Sequence, residues 1–360
     1  MAANQKEVTP AVSTPVQSRA VQSHQVSSEE TCDMQFSPET VTCRSLLLGF
    51  ERLTLGNSMK ESPTTLPTYD HVYKTVKIVS KTIFGNIRIA IHRESQNVRA
   101  VKQFHKNLLK RKRTLGGMAV QENFDVEFKL MNWLRRHPHA GLIAASPENE
   151  QVEDPRHKYI VMPLASDGDL LALISNSNEK ISEDTVRDIF LQLISALQHL
   201  HEKGKHIHGD VSPENILVSY DESGRLRVQL CDYGLACKIG SRHHQCGKQS
   251  YMAPEHHSSE SRNAEPASDI FSLATVMFVL YYGKPPFITA RQSDVYYEGL
   301  GKKCHYCASS YSTWLRAWGY SKKRSEWALL PTVLSMLKRE PRKRPTLRRI
   351  KTIVEGWKPW

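Results

Sequence analysis

A two-lobed α+β fold, with a small antiparallel sheet and one helix in the first lobe and a mainly helical second lobe, is predicted by three features of this 360-residue chain. Apolar residues alternate in strand fashion over 72–104, helical periodicity follows over 121–136, and helical spacing dominates beyond Gly168. A chain of this length with 39% hydrophobic residues buries a sizeable core and exceeds the usual single-domain size.

Residues 1–68 are rich in Ser, Thr, Gln, Val and Pro, show no sustained periodicity, and read as a disordered tail. Thr9-Pro10, Thr14-Pro15, Ser37-Pro38 and Ser62-Pro63 are either sites for a proline-directed kinase or products of the composition alone. Leu46, Leu47, Leu48 and Phe50, with Leu53, form an apolar patch able to dock on the folded domain. From Tyr69 the pattern turns to strands over 72–80, 86–93 and 98–104, with Ile87, Ile89 and Ile91 alternating in the second. The helix over 121–136 carries Phe124, Phe128, Leu130, Met131 and Leu134 and ends before His137-Pro138. Ser182 caps a helix whose apolar face is Val186, Ile189, Phe190, Leu193, Leu197 and Leu200, with Gly204 as its stop. The apolar run over 271–282 is shorter than the roughly 20 residues of a membrane span and reads as a helix buried on all sides. No internal repeat is visible.

The formal charge of +12, from 49 Lys and Arg against 37 Asp and Glu, suits phosphorylated proteins, nucleic acid or anionic membrane as partners, or serves solubility alone. Charge is all that points to nucleic acid or membrane, so neither is expected. Seven cysteines, unevenly spread, and an N-terminus without a basic and apolar leader imply a reducing intracellular compartment. Lys110-Arg111-Lys112-Arg113 is either a nuclear-import or docking cluster or a solvated connection, so cytoplasm and nucleus are both open. Cys304-His305-Tyr306-Cys307 has metal-like spacing, yet a structural zinc site needs four ligands and no second pair lies near.

Chemistry concentrates in three motifs. His208-Gly209-Asp210-Val211-Ser212-Pro213-Glu214-Asn215, then Cys231-Asp232-Tyr233-Gly234, then Tyr251-Met252-Ala253-Pro254-Glu255 follow within about fifty residues. Upstream lies Val98-Arg99-Ala100-Val101-Lys102, where strand alternation puts Ala100 and Lys102 on one face. The set is similar to the catalytic loop, metal-binding triplet and substrate-loop end of the eukaryotic protein kinase superfamily, of a divergent serine/threonine type.

The resemblance covers about residues 70–357. It implies a kinase domain over 69–360, with a small lobe over 69–162, a hinge over 163–166 and a large lobe over 167–360. It further implies transfer of the ATP γ-phosphate, with Mg²⁺, to Ser or Thr of protein substrates. By that resemblance Asp210 orients and deprotonates the substrate hydroxyl, and Asn215 and Asp232 ligate Mg²⁺. Lys102 holds the α and β phosphates and pairs with Glu127, which fits better than Glu122 near the helix start. Val79, Ile87, Ala100 and Leu217 surround the adenine, Met162 guards the back pocket, and the Pro163 carbonyl and Ala165 N–H meet the base at the hinge. Asp269 matches the carboxylate that braces the catalytic loop, and Arg344 matches the partner of Glu255. Cys231 is a packed thiol beside the nucleotide pocket, and Tyr233 keeps the aromatic packing usual in the triplet.

Several positions depart from the family. Ser80 and Thr82 occupy the first two glycine positions of the nucleotide-covering loop, leaving only Gly85. Glycine lets backbone N–H groups approach phosphate, so a weaker grip and a raised nucleotide KM are expected. Ser212 stands where a lysine usually contacts the transferring phosphate, and Lys248 stands where a threonine usually follows the glycine. The two residue types look exchanged: either Lys248 reaches back with the charge while Ser212 supplies the hydroxyl, or Lys248 merely faces solvent. Gly209 replaces an arginine that reads an activation-segment phosphate, and Ser241 is the one hydroxyl over 235–249, so phosphate control there is not expected. Asp169 and Glu214 match acids that hold Arg or Lys N-terminal to the target, and Leu235 favours serine over threonine. Such departures resemble kinases of unicellular parasites and some viruses and assign no subfamily. The rival is a pseudokinase scaffold, favoured by the missing glycines and lysine and opposed by intact Lys102, Glu127, Asp210, Asn215 and Asp232. Oligomeric state is not legible.

Overall fold

The alternating segments pair as an antiparallel sheet in the order β1-β2-β3-β4: Tyr73–Lys81, Gly85–His92, Val98–His105 and His157–Pro163. This computed structural model describes residues 67–112, 122–150, 152, 154–177, 181–243, 247–257, 262–303, 315–316, 319 and 327–357. All of them belong to one compact unit, Thr40–Trp360; a second unit, Met1–Glu39, lies outside the described residues. So do the Ser/Thr-Pro pairs, the patch over 46–53, Arg113, and the Cys304 and Cys307 pair.

Strand ends fall within two residues of the alternation. A four-residue helix that the sequence reading did not anticipate, α1 (Tyr69–Val72), precedes β1 and sets Tyr69 between Tyr73 and Tyr159, with centroids 5.5 and 4.6 Å away. Strand β4 is the sheet edge, which tolerates Pro163 at its end because no further ladder bond is required there. After β3 the short helix α2 (Lys106–Arg111) buries no side chain and carries Lys110 and Arg111 in its last turn. Helix α3 (Phe124–Arg136) begins later than the periodicity suggested, because Asn123 accepts from the Asp125 and Val126 N–H groups and so caps it. Its buried stripe of Phe124, Glu127, Leu130, Met131 and Leu134 includes a carboxylate among apolar side chains.

The second lobe is mainly helical: α4 (Leu170–Asn176), α5 (Glu183–Glu202), α6 (Pro266–Tyr282), α7 (Val295–Lys303), α8 (Leu330–Met336) and α9 (Leu347–Gly356). Ser182 accepts from the Thr185 N–H at 3.2 Å, and α5 buries Val186, Ile189, Phe190, Leu193, Leu197 and Leu200 as its spacing predicts. Helix α6 is buried continuously from Ser268 to Leu280 and ends at Gly283 in a left-handed conformation. No helix among the described residues is long and apolar enough to cross a membrane.

Between α5 and α6 run β5 (His206–Ile207), β6 (Ile216–Tyr220), β7 (Leu226–Leu230) and β8 (Cys237–Lys238). The β6–β7 hairpin positions the chemistry. Its first strand starts just after Asn215, its second ends just before Cys231, and the Cys231 N–H donates to the Asn215 carbonyl at 3.0 Å. A two-lobed α+β fold results, as expected.

Candidate active site

Strand β3 carries Lys102 into the cleft, where the residue is 3% exposed. Nζ donates to Glu127 Oε1 at 3.0 Å, Glu127 Oε2 at 3.1 Å and Asp232 Oδ1 at 2.8 Å. Burial opposes the lysine's charge, but Asp232 and Glu127 together hold its pKa above the ordinary lysine value. Glu127 is 1% exposed, and burial pushes its carboxyl up to about 7 against the pull of Lys102. Asp232 is 40% exposed on its side chain. Its enclosure favours the neutral form, yet Lys102 prevails and keeps the carboxyl below its usual value. Glu122, weighed in the sequence as the rival partner of Lys102, is a third carboxylate here. Burial raises it, Lys102 and Asp232 both act on it, and its Cγ lies 3.2 Å from where a Cβ on Gly234 would stand. Lys102 thus bonds Glu127, the partner the resemblance implied, through both carboxylate oxygens.

Asp210 lies across the cleft. Asn215 Nδ2 donates to the Asp210 carbonyl at 2.8 Å and to Asp210 Oδ2 at 2.7 Å, which uses both amide hydrogens and leaves the amide oxygen for a cation. Asp232 adopts φ 63, a left-handed backbone that costs a non-glycine residue on the order of 1–3 kcal/mol and recurs at functional sites. An amide oxygen and a carboxylate are hard donors, and this pair fits Mg²⁺, which takes few protein ligands and keeps water and phosphate oxygens. Among the described residues no cluster of three or more His, Cys, Asp or Glu is arranged to hold a metal ion.

The loop bearing Asp210 is braced from beneath. Asp269 of α6 accepts from the His208 N–H at 2.7 Å and the Gly209 N–H at 3.0 Å, while His201 of α5 bonds it at 2.8 Å. Burial would raise this carboxyl, but the His201 bond outweighs it and holds it low. Gly209 sits at φ 78, where any side chain would be strained. Tyr233 is buried, and its hydroxyl is shared between the carbonyls of Ile143 and Leu230 at 3.0 and 2.9 Å, so the extra oxygen costs nothing. Burial, reinforced by Asp232, raises the Cys231 thiol, which makes it an inert packed residue.

Lys248 folds back over the loop. Its Nζ lies 2.6 Å from Ser212 Oγ, 3.6 Å from Glu214 Oε2 and 3.8 Å from Asp210 Oδ2, and its backbone N–H donates to Asp210 Oδ1 at 3.2 Å. Asp169 has a structural task the sequence reading did not give it: Oδ1 caps α4 by accepting from the Ala172 N–H at 2.8 Å. Burial raises the Asp169 carboxyl, and Glu214 adds to the rise. Glu214 Oε2 is buried without a hydrogen bond.

The nucleotide-covering turn is tight, with the Thr82 N–H donating to the Gly85 carbonyl at 2.9 Å. A Cβ on Gly85 would collide with the Gln103 carbonyl oxygen. Glycine is therefore required by the approach of β3, a correction to the reading that gave it only to phosphate. Val79 lies at an irregularity of the β1 register and is exposed. Ile87 pairs with Lys102, Ala100 pairs with Met162, and Pro163 closes β4 opposite Arg99. Leu217 bridges to Asp169 and is partly buried against the core, with Ala165 half-buried nearby in the chain. Ser241 is exposed and donates to the Lys238 carbonyl at 2.6 Å.

Compared with known families, the chain matches the protein kinase domain over residues 73–354. It is 31% identical over 195 residues to CBL-interacting protein kinase 20 of Oryza sativa subsp. japonica, covering 52% of this chain and 40% of that protein. It is 29% identical over 263 residues to CBL-interacting serine/threonine-protein kinase 7 of Arabidopsis thaliana, covering 71% and 56%. A serine/threonine-protein kinase of Drosophila erecta is 28% identical over 276 residues, covering 76% and 33%. The chain thus spans from a third to just over half of the length of these relatives. Since the family match runs from β1 into α9 and takes in every residue that meets around Lys102 and Asp210, the chain belongs to the protein kinase family.

Proposed function

We propose that the protein is a serine/threonine kinase that transfers the γ-phosphoryl group of ATP to protein substrates, preferring serine with Arg or Lys N-terminal to it. The observation that carries this reading is the Asp210 carboxylate held by Asn215, opposite a lysine held by Glu127. Asp210 orients the substrate hydroxyl and accepts its proton as the oxygen bonds to the γ-phosphorus and the bond to the β–γ bridging oxygen breaks. Lys102 holds the α and β phosphates, with Glu127 keeping its ammonium in place. Asn215 and Asp232 hold Mg²⁺, which when bound neutralises phosphate charge. Val79, Ile87, Ala100 and Leu217 enclose the base, with Met162 behind it and Pro163 and Ala165 at the hinge. The domain occupies 69–360, with 163–166 as hinge, and acts in the cytoplasm or nucleus.

Asp169 and Glu214 support the basic preference, since the buried Glu214 Oε2 has no hydrogen bond, only the charge of Lys248 3.6 Å away, and can accept from an incoming guanidinium. Gly209, lacking any side chain to read a phosphate, supports activity without phosphate on the activation segment. The test is transfer from labelled ATP with Mg²⁺ to a mixed Ser/Thr peptide library by wild type, Asp210→Asn and Lys102→Ala. Transfer by wild type alone, strongest on arginine-containing serine peptides, is expected. Folded wild type no better than the variants means a pseudokinase scaffold.

A further inference from the structure

We propose that Lys248 is the cation that meets the transferring phosphoryl group, with Ser212 as the hydroxyl that steers it; this rests on the kinase reading above. Phosphoryl transfer requires positive charge beside the attacking hydroxyl, because negative charge spreads over the phosphoryl oxygens in the transition state. From His208 to Leu217 the loop around Asp210 contains no lysine or arginine. Lys102 is committed to Glu127 and Asp232 on the other side of the cleft. Among the described residues, Lys248 is the cation ion-paired to Asp210.

The geometry around Lys248 suits a charge held ready for an anion. Its backbone is fixed on both sides, by the N–H bond to Asp210 and by the Tyr251 and Met252 N–H groups, which both donate to its carbonyl at 3.0 Å. The segment comes this close because Gly247 adopts φ 93. A Cβ there would lie 3.0 Å from the Gly209 carbonyl oxygen and 3.3 Å from Asp210 Oδ1. Of the three ammonium hydrogens, Ser212 Oγ takes one, at 2.6 Å. The carboxylates of Asp210 and Glu214, at 3.8 and 3.6 Å, attract the charge but lie beyond hydrogen-bond distance. Two donors therefore remain for phosphoryl oxygens. The Lys248 side chain is 38% exposed, which leaves it open to the cleft, whereas Ser212 is 0% exposed and serves as a fixed acceptor. A purely structural pair would close onto a carboxylate; this one stops short of two.

Three variants test the assignment beside wild type and Asp210→Asn: Lys248→Ala, Lys248→Arg, and the exchange Ser212→Lys with Lys248→Ser. Each is measured for kcat, for ATP affinity and for thermal unfolding. We expect Lys248→Ala to lose about 10²–10³-fold in kcat, the usual cost of removing one transition-state donor, with ATP affinity and unfolding temperature unchanged. Lys248→Arg keeps the charge and retains more kcat than Lys248→Ala. Because positions 212 and 248 face each other, the exchange returns a cation to the same point and recovers about tenfold or more over Lys248→Ala. A Lys248→Ala kcat within a few-fold of wild type overturns the proposal. So does a loss matched by an equal loss of stability or ATP binding, or a folded exchange variant no better than Lys248→Ala. Folded wild type without transfer above Asp210→Asn removes the kinase reading itself, and the proposal with it.

Discussion

Glu127, Glu122 and Asp232 surround a single buried ammonium at Lys102, and the most enclosed of the three acids carries the consequence. Burial lifts the Glu127 carboxyl to about 7, above the ordinary glutamate value of 4.5. A carboxyl raised in the folded state favours folding through its protonated form. That contribution is complete below the unfolded value, about 4.5, and is lost as pH rises through about 7. Wild type should therefore lose stability relative to Glu127→Gln across that window, and the difference should be level above it. Chemical denaturation of both proteins over the window measures this, and parallel pH curves would remove the shift. On the role proposed for Lys102, transfer should run the other way, because the ionised glutamate holds its ammonium for phosphates.

At the scale of elements, Asp169 caps α4, and the proposed function gives it a second task toward the basic residue of the substrate; two substitutions separate the two. Asn is as good a helix cap as Asp, so Asp169→Asn should unfold like wild type while raising KM for arginine-containing peptides. Asp169→Ala should do the same to KM and also lose about 1 kcal/mol of stability. An unchanged peptide KM in Asp169→Asn would leave the residue a cap alone. What the sequence revealed at this scale follows from period and burial. Strands β1 to β3, α5 with its Ser182 cap and the wholly buried α6 repeat their apolar positions often enough to be read. Helix α1 is too short to show a period, and α3 starts late because Asn123, a cap, looks in sequence like any polar helical residue. The site was legible as residue types in order. Whether Lys248 returns onto Ser212 or faces solvent stayed open, because that return depends on left-handed backbone at Gly209 and Gly247, which no side-chain pattern encodes. Glu122 was weighed only as a partner for Lys102; its place beside Gly234 could not be read, since packing between distant segments sets it.

On the scale of the whole molecule, two buried ion networks fasten the site to the helical lobe. Arg344, wholly enclosed, holds Glu255 through two bonds of 2.7 Å and spends its other donors on the carbonyls of Ala267, Lys338 and Arg339. Glu255→Ala leaves that guanidinium without its counter-charge, and a stability loss of about 3–5 kcal/mol by chemical denaturation is expected. The second network, His201 and Asp269 beneath His208 and Gly209, bears on regulation. Where a loop is ordered by a phosphate, a cation beside the catalytic aspartate must read that charge. Here position 209 has no side chain, and its backbone is tied to Asp269 from α6 in any case. Ser241, the hydroxyl a modifying enzyme would meet, is exposed and already bonded to the Lys238 carbonyl, near the short β5–β8 pairing and away from Asp210 in the chain. Phosphate at Ser241 thus has no route to the Asp210 loop through position 209. Ser241→Ala and phosphatase-treated wild type should both keep the kcat of untreated protein on the same peptide. A large fall in either would show that another cation of the segment, Lys238 or Arg242, has taken over the reading of that phosphate.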